Sequence, residues 1–524
     1  MTTLNRRWIE TALLLFAGCA AVYFLTAPGR IDMIDGGIRF DVTRSIIDVG
    51  LPIVRHPWMP AVEGRGGLRY SFYPLGTSIV AVPFVQLGDW LGGGSLESRQ
   101  FAFSLTSIPF AAGTVSLLFL IWGRLGCSRR AALGWALVVA FCTPLWVYAG
   151  SSFDTVIQAF FLTLAVWGAI EAIDARSWSW AAVSGFAFAA LINVQETYAV
   201  LGACVFADES MSIESVRARL RSRPIHIILG GLVLGVATVL AFNAYKFGHP
   251  LETGRDAVPH PLLGWMPIGL IGLFASPAKS ILLYSPTYLF AAFGLRKLYR
   301  SNRSRYVIVA ACLAIHILLT STLKFWAGEW AWGPRYLLVS LPLVCLGLPF
   351  VSGTRATKWL YGAAVAGLAV QLLGISVDHQ RYYVERSLTP FFWVDEWSMY
   401  RDSPLVARPA ELWSIARRED LSTVRALVPA RDEMSMTSSL FGPPFGRRND
   451  QARWMREFLV FVVPRPWPFW TAYLPQELRP GRTDLMLQLG LAAALAAFGL
   501  LGLRLRDEEE VVRASVSVAA RTSG

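Results

Sequence analysis

The sequence predicts an all-α fold, a polytopic transmembrane helical bundle of about twelve spans with helical outer loops. Three observations carry that prediction. The 524 residues are 54% hydrophobic and only 16% charged, with a mean hydropathy of +0.45, far from the composition of soluble domains. Apolar runs of about 16 to 24 residues recur along the chain without the alternation of a barrel strand, and a helix needs about 20 such residues to cross the hydrocarbon core. Lys and Arg gather in alternate short loops, as the positive-inside bias requires.

Taken in order, the spans are read near 8–26, 99–123, 131–149, 155–173, 178–193, 195–207, 225–244, 281–296, 306–323, 336–352, 358–377 and 485–504. The first follows Arg6 and Arg7 and reads as a retained signal anchor, since apolar residues continue past the "FAGC" that ends at Cys19. Inner loops are marked by Arg124, Arg129 and Arg130, then Arg217, Arg219, Arg221 and Arg223, then Arg296, Lys297, Arg300, Arg303 and Arg305, and last Arg355 and Lys358. The short loops around 150–154 and 193–196 carry no cation and are read as outer, which places both termini inside. The spans 178–193 and 195–207 share so few residues that a short, tilted or re-entrant segment belongs there.

Three long loops, 27–98, 245–280 and 378–484, fall on the outer face. They are rich in Trp, Tyr and Pro, the composition of ordered segments that hug a membrane. In the first, "YPLGTSIVAVPFVQLGDWLGG" reads as a helix lying along the interface.

Several function classes are excluded at this point. The formal net charge of +12 lies largely in the short loops, where orientation and anionic lipid account for it without nucleic acid. The six cysteines occur singly, so neither a disulfide framework nor a zinc site is indicated. No internal repeat supports an inverted-repeat transporter.

The chemistry gathers at the outer face. Asp32, Asp35 and Asp41 follow the first span among Arg30, Arg39 and Arg44, and the same face collects Arg55, His56, Arg69, Tyr70, Arg255, His260, Lys279, Glu329 and Arg335. A loop carboxylate usually does no more than pair with neighbouring cations. Here many anion-binding groups stand beside it, next to lipid.

These segments, in this order, resemble the GT-C class of membrane glycosyltransferases, in particular bacterial protein O-mannosyltransferases and aminoarabinose transferases, the family 39-like proteins. The resemblance rests on "DMIDGGIRF", "RYSFYPLGTSIVAVPF", "YAGSSFDTVIQAFF", "GLIGLFASPAKSILLYSPTYLF" and "WAGEWAWGPRYLLVSLP", and runs from the N-terminus to about residue 350. It implies transfer of a sugar from a polyprenyl-phosphate donor to an acceptor hydroxyl of a glycan, lipid or protein, on the extracytoplasmic face of a bacterial plasma membrane. The span and loop reading divides the chain into a catalytic membrane module, 1–377, with outer loops 27–98 and 245–280, an extracytoplasmic loop region, 378–484, and a last span with a cytoplasmic tail, 485–524.

The residues suit that chemistry. An aspartate in a partly dehydrated cleft can take the acceptor's proton, and a lipid phosphate leaves without a general acid if Arg or Lys receives its charge. The catalytic candidates are Asp35, which precedes Gly36-Gly37 where the chain can turn, and Asp32, which would share its face in a helix. Asp41 and Asp154 stand behind them. Lys279, Arg335, Arg69 and His56 are the donor-phosphate candidates, and Asp154, Glu196, Glu329 and Tyr284 are further site candidates. Glu196 departs from the family, which commonly carries a cation there. Trp326, Trp330 and Trp332 could stack on a sugar or grip a prenyl chain. No cofactor is required by this reading, and Asp32 and Asp35 form no D-x-D pair that would commit the site to a metal. A flippase or transporter of a lipid-linked substrate, or a non-catalytic subunit of a membrane complex, remains the alternative.

Overall fold

Apolar runs fold into helices because hydrocarbon offers no partner to a backbone N–H or C=O, so each must be satisfied within its own segment. The computed structural model, which describes residues 5–57, 59–210, 212–255, 263–301, 303–328, 330–378, 382, 403–417, 467–472 and 482–522, is built almost wholly of helices.

The first half comprises α1 (Arg6–Thr26), α2 (Ile34–Val49), the short strands β1 (Val62–Glu63) and β2 (Arg69–Tyr70), α3 (Gly76–Gly92), α4 (Leu96–Ser104), α5 (Ile108–Arg124), α6 (Arg129–Phe141), α7 (Leu145–Ala149), α8 (Thr155–Ala175) and α9 (Trp178–Val194). A 3-10 segment, Glu196–Phe206, leads to α10 (Ile213–Leu220) and α11 (Arg223–Phe247). Then follow α12 (Met266–Ala275), α13 (Ile281–Tyr284), α14 (Thr287–Ser301), α15 (Arg303–Ser321), α16 (Arg335–Leu338), α17 (Leu341–Cys345), α18 (Thr354–Ser376), α19 (Pro404–Ala416) and α20 (Arg482–Thr522).

Seven of these stretches are long and apolar enough to cross a membrane: Arg6–Thr26, Leu96–Arg124, Thr155–Ala175, Arg223–Phe247, Arg303–Ser321, Thr354–Ser376 and Asp484–Arg504. The chain is therefore an integral, multi-pass membrane protein. Four shorter apolar segments, Trp178–Val194, Glu196–Phe206, Met266–Ala275 and Leu341–Phe350, stand beside them.

Prolines interrupt three of the predicted spans, because proline cannot donate to the helical ladder. Near 131–149 the helix stops at Phe141 and resumes as α7 after Pro144. Near 281–296, Pro286 separates α13 from α14, and near 336–352 the chain runs as α16, α17 and a 3-10 turn, Leu348–Phe350, with Pro342 and Pro349 in first turns. The predicted span at 195–207 is a 3-10 helix, which at 11 residues reaches about 22 Å.

Close backbone approach holds the bundle together where lipid supplies no hydrophobic drive. A Cβ on Gly231 would lie 2.3 Å from the Gly185 carbonyl oxygen, so only glycine lets α9 and α11 touch there. Buried aromatic side chains still place their polar tips: Tyr23 donates to the Ala140 carbonyl at 3.0 Å, Trp122 to Leu346 at 3.2 Å and Tyr148 to Trp332 at 2.9 Å. α1 and α20 pair antiparallel, with Glu10 joined to Arg504 at 2.6 Å.

The predicted interfacial helix is α3. It buries Thr77, Ser78, Ala81 and Val85 and leaves Ile79, Leu87 and Trp90 outward, an apolar outer face suited to lipid.

Candidate active site

The site is built where α1 gives way to α2. Met33 is extended and α2 begins at Ile34, so Asp35 lies in the first turn of a helix, where the macrodipole favours a carboxylate. Gly36 and Gly37 do not make the turn read from the sequence; they are helical. Gly36 instead permits contact, since a Cβ there would lie 2.3 Å from Ser152 Oγ. Asp32 precedes the helix, so the shared helical face with Asp35 is not formed.

The two acids have different partners. Asp32 accepts from the Ser151 hydroxyl at 2.7 Å, from the Ser152 amide at 2.9 Å and from the Ser152 hydroxyl. That ties the α1–α2 link to the loop before α8. Asp35 accepts from the Tyr73 hydroxyl at 2.7 Å, and Arg335 Nη1 lies 3.4 Å from its other oxygen. Arg335 is also 3.2 Å from the Tyr336 hydroxyl and stands over the Phe153 ring at 4.2 Å. Arg39, one helical turn beyond Asp35, stacks on Tyr73 at 4.1 Å and pairs with Asp154 at 2.7 Å. Asp154 is the N-cap residue of α8 but makes no side-chain capping bond, because its carboxylate is turned to Arg39.

Burial would raise the Asp35 carboxyl, and the Arg335 and Arg39 guanidiniums with the Tyr73 hydroxyl outweigh it, holding the group below the usual carboxylate range. Asp35 is therefore ionised at neutral pH. Its side chain is 17% exposed, against 7% for Asp154 and 3% for Asp41. Asp41 is enclosed by Arg44 at 2.7 Å and by the backbone amides of Arg55 and His56 at 2.6 and 2.7 Å.

The remaining candidates fall into separate places. Arg69 donates to the carbonyls of His56 and Met59 at 3.0 and 2.6 Å, so it braces the 56–70 hairpin. Lys279, fully buried, donates to the Ala331 carbonyl at 2.7 Å, fastening the stretch that carries Arg335. Glu196 pairs with Arg255 at 2.9 Å. Tyr284 packs edge-on against Trp332 at 5.1 Å within the core, and Trp326, Trp330 and Trp332 are all buried there, none presented as an open platform. Glu329, His260 and nearly all of the 378–484 loop lie outside the described residues. Among the described residues no group of three or more His, Cys, Asp or Glu side chains could hold a metal ion.

No protein-family model and no curated protein matches the chain. Solved structures similar to the chain include two of ArnT and one of an archaeal oligosaccharyltransferase. ArnT from Cupriavidus metallidurans in the apo state aligns at a TM-score of 0.46 and 13% identity, covering 87% of this chain and 75% of that one. The same protein bound to undecaprenyl phosphate gives 0.48 and 14% over the same shares. The apo Archaeoglobus fulgidus oligosaccharyltransferase gives 0.43 and 11%, covering 76% of this chain and 60% of that one.

Sequence reasoning missed Tyr73 and gave Arg39 no part beyond pairing with the nearby carboxylates. Arg39 was within reach, standing four residues after Asp35 on what proved to be a helix. Tyr73 carried no signal beyond lying in an aromatic stretch.

Proposed function

We propose that the chain is a membrane glycosyltransferase that moves a sugar from a polyprenyl-phosphate donor to a hydroxyl of a glycan, lipid or protein acceptor on the extracytoplasmic face, with inversion at the anomeric carbon. The observation that carries this reading is the Asp35 carboxylate, ionised, partly open and faced by Arg335, while Asp32, Asp41 and Asp154 are enclosed by their own partners. The order of sequence motifs around it supports the same class.

The acceptor O–H donates to Asp35 as its oxygen bonds to the anomeric carbon. The bond from that carbon to the phosphate oxygen breaks, and its electron pair stays on the phosphate, where Arg335 meets the growing charge. Tyr73 keeps one carboxylate oxygen occupied. Arg335 holds the other loosely, at 3.4 Å, so a phosphate that draws Arg335 frees that oxygen and raises its basicity. Asp154 lies within electrostatic range of Asp35, and Arg39 between them offsets their repulsion. Lys279 acts by placing the Ala331 end of the loop before Arg335, and Arg69 and His56 shape the neighbouring wall.

The test is Asp35→Asn in the full chain, reconstituted with radiolabelled polyprenyl-phosphate sugar. Transfer should fall about 10²- to 10⁴-fold with thermal unfolding unchanged. Full activity in the variant would remove the base. Substrate crossing the bilayer with no glycoside formed by the wild type would turn the assignment to a transporter.

A further inference from the structure

Two stretches of the 378–484 region lie among the described residues, 403–417 and 467–472, and both close on the ends of α1 and α18. The second crosses from one end to the other. The Trp467 amide donates to the Ser376 carbonyl at 2.6 Å, and Trp470 donates through its amide to Ala27 at 2.9 Å and through its indole N–H to Phe24 at 2.6 Å. Arg30 pairs with the Asp378 carboxylate, and the two share the wall of a cavity of about 30 Å³ with Pro468 and Phe469.

The first stretch forms α19 and carries Arg408, whose side chain is fully buried. Its Nη1 donates to the carbonyls of Val377 and Asp378, each at 3.1 Å, and its guanidinium lies over the Trp332 ring at 5.2 Å. Glu411 Oε2, one helical turn on, is 3.3 Å from the same nitrogen. Trp332 is held as well by the Tyr148 hydroxyl on its carbonyl and by the edge-on Tyr284 ring. Gly374 of α18 leaves room for it, since a Cβ there would lie 2.7 Å from the indole nitrogen.

An Arg–Glu pair taken out of water returns little net stability, and apolar side chains of equal volume would pack as firmly. Stability is thus a poor reason for Arg408. What a planar guanidinium adds is direction: donors fixed in one fork, and a face that stacks on an aromatic ring. Arg408 uses both, and its contacts lead to the two sides of the site. Trp332 stands three residues before Arg335, with Gly333-Pro334 between them. Asp378 holds Arg30, which stands five residues before Asp35. We propose that Arg408 is a positioning residue for sugar transfer: it clasps the Trp332 stretch to the Arg30–Asp378 pair and so sets how far Arg335 stands from Asp35. The role rests on the sugar-transfer reading of the site. It makes α19 a working part of the catalytic geometry, although α19 lies about 70 positions beyond Arg335 in the chain.

The test compares two variants of the full chain in the reconstituted assay used for Asp35→Asn, with radiolabelled undecaprenyl-phosphate sugars as donors. Arg408→Lys keeps the charge and loses the fork. Arg408→Met with Glu411→Leu removes the pair together, so it should unfold at or above the wild-type temperature. In both, kcat should fall about 10- to 100-fold, while the donor KM changes less than about twofold. The infrared band of the protonated Asp35 carboxyl, identified by its loss in Asp35→Asn, should titrate at a higher pH in either variant, because Arg335 no longer holds the group down. Arg39 and Tyr73 also face Asp35, with Asp154 paired to Arg39; to isolate Arg335, the variants are repeated on Arg335→Gln, where they should shift the band no further. Wild-type kcat and an unmoved band in the folded double variant overturn the proposal, as does a shift that persists on Arg335→Gln. If Asp35→Asn abolishes transfer in that case, the enzyme stands and the clasp falls. If the band moves as described but the wild type forms no glycoside, the clasp stands and the enzyme falls.

Discussion

Asp32 and Asp35 leave the end of the first span on the same short stretch, and their surroundings are opposite. Among the described residues the donors around Asp32 are neutral, two serine hydroxyls and an amide from the loop before α8, and the residue is buried. Around Asp35 the partners are a phenol and two guanidiniums, drawn from residues 39, 73 and 335, and part of the carboxylate stays open. Short neutral donors use up lone pairs and make an acid a structural tie. Diffuse cations hold an acid ionised without using up its lone pairs, and such an acid can still accept a proton.

That contrast can be broken from either side. The largest effect is expected for Asp32→Asn, which puts an amide where serine donors converge. It should cost about 2–4 kcal/mol, read as a lower unfolding temperature, and the remaining folded fraction should keep its kcat. A normal unfolding temperature with lost turnover would exchange the roles of the two acids. Gly36→Ala comes next. The methyl group meets Ser152, so about 1–3 kcal/mol of overpacking is expected, with turnover reduced because the first turn of α2 carries Asp35; retained turnover would show that the turn can shift without moving the acid. The smallest effect belongs to Tyr73→Phe. Removing that hydroxyl deletes one of the interactions that lower the Asp35 carboxyl, so the acid limb of the pH–activity profile should move to higher pH. The sign for stability follows. A carboxyl depressed on folding stabilises above its unfolded pKa, and that contribution is lost as pH falls through the folded value. The variant should therefore lose less stability than the wild type on acidification, and an acid limb that stays in place would exclude Tyr73 as a partner of the base.

Much of this was legible in the sequence, for reasons that differ by residue. The long spans were readable because hydropathy acts over the whole length of a helix. The segments near 131–149 and 336–352 were less so: their prolines are visible, but whether a broken segment stays buried depends on neighbours that sequence does not name. Asp35 drew notice because a carboxylate after an apolar run stands out. Its partners were not, since Arg335 lies 300 positions away, and the serines that close Asp32 lie about as far along as α8. Glu196 was noticed as out of place, but Arg255 as its partner needed coordinates.

The tie between Asp32 and the head of α8 reaches further than the site. α8 is 21 residues long, about 31 Å, and at its far end Asp174 is held by Arg305 at 2.7 Å. Its length matches the hydrocarbon core of about 30 Å, and each end is closed by a polar contact, Ser151 and Ser152 with Asp32 at one and Asp174 with Arg305 at the other.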